Sequence, residues 1–293
     1  MAEKDRAVAP AHRGMIRWLT ISLVVIGVWG PRAHADEGMY AGVDLLFLSP
    51  KISDQGVANI FYYGDLPTLN RVGGTLDSDL QFAQRVWLGY EGDQGGGVRL
   101  RWFTFDNDLN YVGQAENGSV FPLAGTANLD VDALDVELTQ CGDFGTWQWL
   151  ASGGVRYGRA SLRENDINFE TTPDFVWAGR TGYEFEGAGP TVNVEGHRPI
   201  LADGVSIFGR GRTALLYGDL NLWSAFDSNG VYRIHDEFVQ VWEIQFGTEI
   251  ERSFDACDLV ARIFWEAQRW DSDSGFLGDL GFHGFGTSIG LEY

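Results

Sequence analysis

The sequence predicts an all-β chain that closes into a single antiparallel up-and-down transmembrane β-barrel of about ten strands. Three observations carry this: alternating segments of bilayer-crossing length, connections that alternate short and long, and an export-type N-terminus on a chain without a long apolar run. The 11 tryptophans and 19 phenylalanines sit beside a mean hydropathy of −0.14, which looks like a conflict. It is resolved by alternation, since a strand with one lipid-facing and one polar face averages to a mildly polar value.

Residues 1–35 read as a signal peptide. Arg13 and Arg17 precede an apolar run from Leu19 to Trp29, and Ala33-His34-Ala35 is a small-x-small cleavage site, so the barrel domain is residues 36–293. Residues 1–14 are polar and unlike a signal n-region, which leaves Met15 as a second candidate start. The apolar run is about half the length a spanning helix needs, and Pro31 and Arg32 close it. Removing residues 1–35, with five basic and two acidic residues, from the 21 and 41 of the whole chain leaves 16 and 39. So acidic a chain has no affinity for nucleic acid. Lys51 is its single lysine, and arginine is the cation suited to close pairing with carboxylates.

Ten segments alternate with period two over roughly the nine to eleven residues a tilted strand needs, or slightly more. They are Tyr40 to Leu48, Phe82 to Glu91, Val98 to Asp106, Leu129 to Leu138, Trp147 to Arg159, Tyr183 to Glu195, Val205 to Tyr217, Phe238 to Glu251, Leu259 to Trp270 and Leu280 to Tyr293. The connections Gly92 to Gly97, Thr139 to Thr146, Gly196 to Gly204 and Arg252 to Asp258 are short and turn-like. Those at Ser49 to Gln81, Asn107 to Asn128, Ala160 to Gly182, Gly218 to Glu237 and Asp271 to Asp279 are long. In an even-stranded meander this rhythm gathers short periplasmic turns, with both termini, at one rim and long extracellular loops at the other. Soluble β-sandwiches also alternate, but without two classes of connection. Gly187-Ala188-Gly189-Pro190 inside one segment is expected to form a bulge or bend.

Each segment has one apolar and one polar face. Leu259, Ala261, Ile263, Trp265 and Ala267 oppose Arg262, Glu266 and Gln268, and Trp242, Ile244, Phe246 and Ile250 oppose Glu243, Gln245 and Glu249. With the apolar faces toward lipid, the lumen receives Asp44, Arg85, Glu91, Arg99, Arg101, Asp135, Glu137, Arg156, Glu195, Arg210, Arg212, Glu243, Glu249, Arg262 and Glu266. Mixed signs on neighbouring strands permit pairs across the lumen. A barrel of about ten strands lies near the size that side chains fill, so these charges either line a narrow pore or staple it shut. Tyr40, Tyr90, Trp102, Trp149, Tyr157, Tyr217, Trp270 and Tyr293 lie near strand ends and are expected to form an aromatic girdle at headgroup level. The inner face of the last segment, with Gly284, Gly286, Ser288 and Gly290, is almost uncharged, and an open path would run along it. Cys141 and Cys257 fall in turns on the periplasmic side, where a disulfide is allowed but not required. Neither lies at ligand spacing from a histidine or second cysteine, so no metal or other cofactor is expected.

Several stretches together resemble the Legionella-type pore-forming outer-membrane protein family. They are Gly42-Val43-Asp44-Leu45-Leu46-Phe47-Leu48, Arg85 to Tyr90, Val98-Arg99-Leu100-Arg101, Leu134-Asp135-Val136-Glu137-Leu138, Gly154-Val155-Arg156-Tyr157, Gly187 to Pro190, Glu266-Ala267-Gln268-Arg269-Trp270 and Gly284-Phe285-Gly286. The alternating last strand ending on Tyr293 likewise resembles the terminal strand of bacterial outer-membrane barrels, whose final aromatic is read by the barrel-assembly machinery. The resemblance implies an outer-membrane location among lipid and lipopolysaccharide, and brings no catalytic residues with it.

The expected function is a narrow porin-like pore, not an enzyme. Loop acids such as Asp54, Asp65, Asp77, Asp79, Glu164, Asp166, Glu170, Asp174, Asp271, Asp273 and Asp279 would favour cations or other small solutes at its outer mouth. The alternative is a structural or adhesive barrel with a charge-plugged lumen, with Phe61-Tyr62-Tyr63 as the candidate loop contact. A rival from another class is an omptin-type surface protease, which would need Asp106 and Asp108 to face His235 and Asp236.

Overall fold

The computed structural model describes residues 38–52, 72–76, 79–115, 123–172, 175–201, 204–223, 231–273 and 280–293. The signal-peptide reading of residues 1–35 and the Phe61-Tyr62-Tyr63 run lie outside these. Among the described residues there are eleven strands: β1 (Gly38–Ile52), β2 (Val72–Leu76), β3 (Gln81–Glu91), β4 (Gly96–Ala115), β5 (Leu123–Phe144), β6 (Trp147–Thr172), β7 (Phe175–Leu201), β8 (Val205–Trp223), β9 (Val231–Ser253), β10 (Asp258–Ser272) and β11 (Leu280–Glu292). All are antiparallel to their neighbours. β1 pairs with both β3 and β11, and β4 pairs with β5, so ten strands close a ring in the order β1, β3, β4 and onward to β11. The small β2 pairs its Val72–Leu76 with Ala115–Tyr111 of β4, beyond the stretch of β4 that β3 occupies, and so continues the line of β3.

All ten segments expected from alternation are strands of this ring, and several run on well past a bilayer. β5, β6, β7 and β9 have 22, 26, 27 and 23 residues, against about ten needed to cross. The long connection expected at Ala160 to Gly182 is therefore mostly wall, since β6 and β7 stay paired from Gln148 with His197 to Thr172 with Phe175. Three of the four short turns use glycine at positive φ, with Gly95 at 71°, Gly145 at 65° and Gly204 at 71°. That left-handed region is open to glycine at little cost and tightens the hairpin.

The expected bulge at Gly187 to Pro190 is absent. Pro190 is opposite Val155 of β6, and the register to β8 is the same before and after, with Ala188 opposite Tyr217 and Thr191 opposite Ala214. Pro190 has no N–H to give β8, and Gly189 lets the carbonyl of Leu215 approach where a Cβ would collide at 1.9 Å. The strand thus tolerates the proline by losing ladder bonds to β8 while keeping its register. Register shifts occur instead at Glu164/Ile167, Glu170/Thr172, Pro199/Leu201 and Gly218/Leu220.

Two kinds of interior are stacked along the barrel. Over the lower part, nearer the short turns, Leu100, Val136, Leu138, Val155, Val194, Ile244, Phe246, Ile263, Phe285 and Ile289 face outward and are exposed, while the charged faces are buried inside. Higher up the arrangement inverts. The inward positions become Leu46, Leu48, Phe105, Leu129, Leu162, Phe185, Leu216, Val241, Trp270 and Phe282, all at most 2% exposed. The same strands there carry Asp106, Asp108, Asp132 and Glu186 outside. Below, the wall is built for hydrocarbon; above, it follows the apolar-inside logic of a water-soluble core.

Candidate functional site in the charged lumen

Alternation delivers the charged residues to the lumen, and the register stacks them into three groups. At the centre, Arg101 donates Nη1 to Asp135 at 3.1 Å and Nη2 to Glu243 at 2.7 Å. Arg156 donates Nε to the same Asp135 at 2.6 Å and Nη2 to Glu243 at 2.7 Å. Arg212 pairs with Glu137 and lies 3.3 Å from Asp135. β4 and β9 stand diametrically opposite in the ring of ten, so the Arg101–Glu243 pair crosses the barrel axis.

To one side, Arg85 joins Asp44 at 3.0 Å and Glu266 at 2.5 Å. Gln245 and Gln268 each donate to Glu266 at 2.5 Å, and Trp87 Nε1 and Ser288 Oγ donate to Asp44 at 3.1 and 2.7 Å. Toward the periplasmic turns, Glu195 accepts from Arg210 at 2.6 Å and Arg262 at 3.0 Å, and Arg262 also reaches Glu249 at 2.5 Å. His197 lies between Glu195 and Glu249 at 2.9 and 3.1 Å, its ring stacked on Phe208. Arg99 ties the groups together through Glu137 at 2.8 Å, with Glu195 at 4.0 Å. Glu91 stands at the lower rim and accepts from Cys141 Sγ at 3.3 Å.

Every strand of the ring contributes to this network. Charges withdrawn from water are costly unless paired and hydrogen-bonded, and the planar guanidinium satisfies two carboxylates at once, which accounts for the arginine bias. All fifteen charges assigned to the lumen from alternation point inward. Gln245, Gln268, Trp87 and Ser288, which alternation also puts on the polar faces, join them, whereas His197 falls in the expected turn Gly196 to Gly204 and was not placed there, although it shares the strand face of Glu195.

The girdle assignments divide. Tyr90, Tyr157, Tyr217 and Tyr293 face outward and are exposed, and Trp102 and Trp149 face outward half-buried. Two are corrected. Tyr40 faces inward with Asp44, its ring 5.9 Å from that of Trp87, and Trp270 is 0% exposed inside the barrel beside Gly158 and Leu216. Both share a strand face with lumen charges, and face outranks nearness to a strand end.

The glycine wall of β11, along which an open path was expected, lies close against other strands' side chains. A Cβ on Gly290 would meet Trp87 at 2.4 Å, and one on Gly286 would meet Leu46 and Phe264, each at 2.6 Å. The glycines are small because larger side chains of other strands lie across them. Cys141 and Cys257 are unbonded.

The protease arrangement is not assembled. Asp106 and Asp108 face outward on β4, both accepting from Asn128 Nδ2 at 3.1 Å. His235 pairs its Nδ1 with Asp219 at 2.8 Å, exposed on the β8–β9 side of the ring. The two parts of the wall stand across the ring from one another, and both pairs lie on its outer surface.

A closed antiparallel barrel with an apolar outer band and a charged interior defines a bacterial outer-membrane β-barrel protein. The family described as Legionella pneumophila major outer membrane protein precursor matches residues 34–271, and the chain belongs to that family. No curated protein matches the chain. Among solved structures, it is similar to the outer membrane protease OmpT from Escherichia coli at 11% identity and a TM-score of 0.53, covering 90% of this chain and 98% of that one. The β domain of the Bordetella autotransporter BrkA gives 12% identity and a TM-score of 0.38 over 88% and 99% of the two chains. The Pseudomonas putida toluene transporter TodX gives 8% and 0.37 over 89% and 90%. The OmpT likeness is one of fold, and the two lower scores carry no argument.

Proposed function

We propose that the protein is a non-catalytic outer-membrane barrel with a closed lumen, which serves the envelope as a structural element and presents its upper wall and loops outside. The observation that carries this is the Arg101–Glu243 pair across the axis, held within a network to which all ten strands contribute, beneath an apolar layer that includes Phe105, Trp270 and Phe282. A passing ion would have to break the first and enter the second, and both steps are costly. The narrow cation-favouring pore is the competing reading.

Planar-bilayer recording separates the two. Purified, refolded protein is expected to give no sustained conductance. A steady, cation-preferring current would return the narrow pore in its place. Incubation with basic peptides tests the non-catalytic part, with no cleavage expected from the wild type. Cleavage that disappears in His235→Ala would make the protein an enzyme.

A further inference from the structure

We propose a phospholipid site on the outer wall of β8, with an acyl chain lying over Gly209 and Gly211 and the headgroup phosphate at Arg198. Most of the barrel glycines are forced, because a Cβ would strike a neighbouring backbone or ring. These two are not. A Cβ on Gly211 would meet nothing within 4 Å, and one on Gly209 only the carbonyl of Gln245 at 3.9 Å. Glycine weakens a strand interior, and where packing does not require it, it marks a place that something else approaches closely.

The missing side chain of Gly211 opens onto a groove of about 360 Å³, with Gly209 next below it on the same face of β8. Val192 and Val194 of β7 form one bank, Trp242 and Ile244 of β9 the other, with Gly211 and Thr213 along the floor. The banks are exposed and apolar, in the band that meets hydrocarbon. An acyl chain is the occupant that matches.

Arg198 supplies the charge complement. It is exposed on the same outer face, four residues from Val194 toward the periplasmic turns, about 13 Å at ordinary strand rise. Its guanidinium lies over the ring of Trp147 at 5.7 Å. Arg159, Arg163 and Arg269, also on the outer surface, each hold a carboxylate. Arg198 has no ion-pair partner among the described residues. An anionic phosphate of the periplasmic leaflet would meet it below the apolar groove, with Gly209 between the two, as the order of headgroup and chain in a phospholipid requires.

Native mass spectrometry of the detergent-solubilised barrel, with added phosphatidylglycerol or phosphatidylethanolamine, tests this. The wild type is expected to retain one phospholipid, phosphatidylglycerol at least threefold over phosphatidylethanolamine. Gly211→Leu, whose Cβ meets nothing within 4 Å and whose side chain enters the groove, should reduce retention at least fivefold. Arg198→Ala should abolish the preference for phosphatidylglycerol, and Thr287→Leu on the outer wall of β11, three strands away, should change neither. Equal retention by wild type and Gly211→Leu would overturn the proposal. So would a wild-type dimer without lipid that Gly211→Leu converts to monomer, since the groove would then belong to a second copy.

Discussion

Glu243→Ala is expected to cost the barrel about 3–5 kcal/mol of unfolding free energy, among the largest single-residue effects in the molecule. Glu243 is buried and accepts from both Arg101 and Arg156 at 2.7 Å. Truncating it leaves two guanidinium groups inside the wall with Asp135 as their remaining close carboxylate. The loss comes from leaving those charges poorly compensated more than from the worth of any one bond. Urea unfolding in lipid vesicles, followed by tryptophan fluorescence, measures it. The double variant Arg101→Met/Glu243→Met should recover most of the stability, because Arg156 keeps both bonds to Asp135. A double variant no more stable than Glu243→Ala would mean that the crossing pair contributes more than its removal of mutual frustration implies.

Trp270→Ala is expected to cost a comparable amount, about 3–5 kcal/mol, for a different reason. The indole is fully buried in the apolar upper layer, packed where Gly158 and Leu216 leave room for it. Its truncation leaves a cavity in a wall of paired strands that cannot collapse inward. Trp270→Phe should cost clearly less, since it keeps most of the apolar volume and deletes an Nε1 donor that has no acceptor among the described residues. The same unfolding measurement distinguishes them. If Ala and Phe variants were equally stable, the upper lumen would not be the close-packed layer described here.

Much of the fold was legible because a barrel strand carries its own instructions. Period-two alternation marked ten strands, and the rhythm of connections put the short turns at one rim. Parity along each strand named the fifteen inward charges. Parity also puts Tyr40 and Trp270 inside, since they share faces with Asp44 and Glu266; nearness to a strand end carries no information about which way a side chain points. The upward continuation of the strands was less legible. Past the bilayer the pattern inverts, so Ala160, Leu162 and Phe185 turn inward while Arg159, Glu184 and Glu186 turn outward. A search for lipid-facing strands reads such a segment as loop.

By itself the sequence determined the ten strands of the ring, their two faces and the fifteen charges inside, though not β2 or His197, because these depend only on the alternation of side chains along a pleated backbone. Which charges meet was decided by the tertiary structure alone. Arg101 and Glu243 are far apart in the chain and have no local relation; ring closure sets β4 opposite β9, and the register of each intervening pair brings them to one level. The glycine face of β11 follows the same division. Its smallness is written in the sequence, but whether that makes a passage or a seat depends on what reaches it through space. Trp87, Leu46 and Phe264 reach it, and it is a seat.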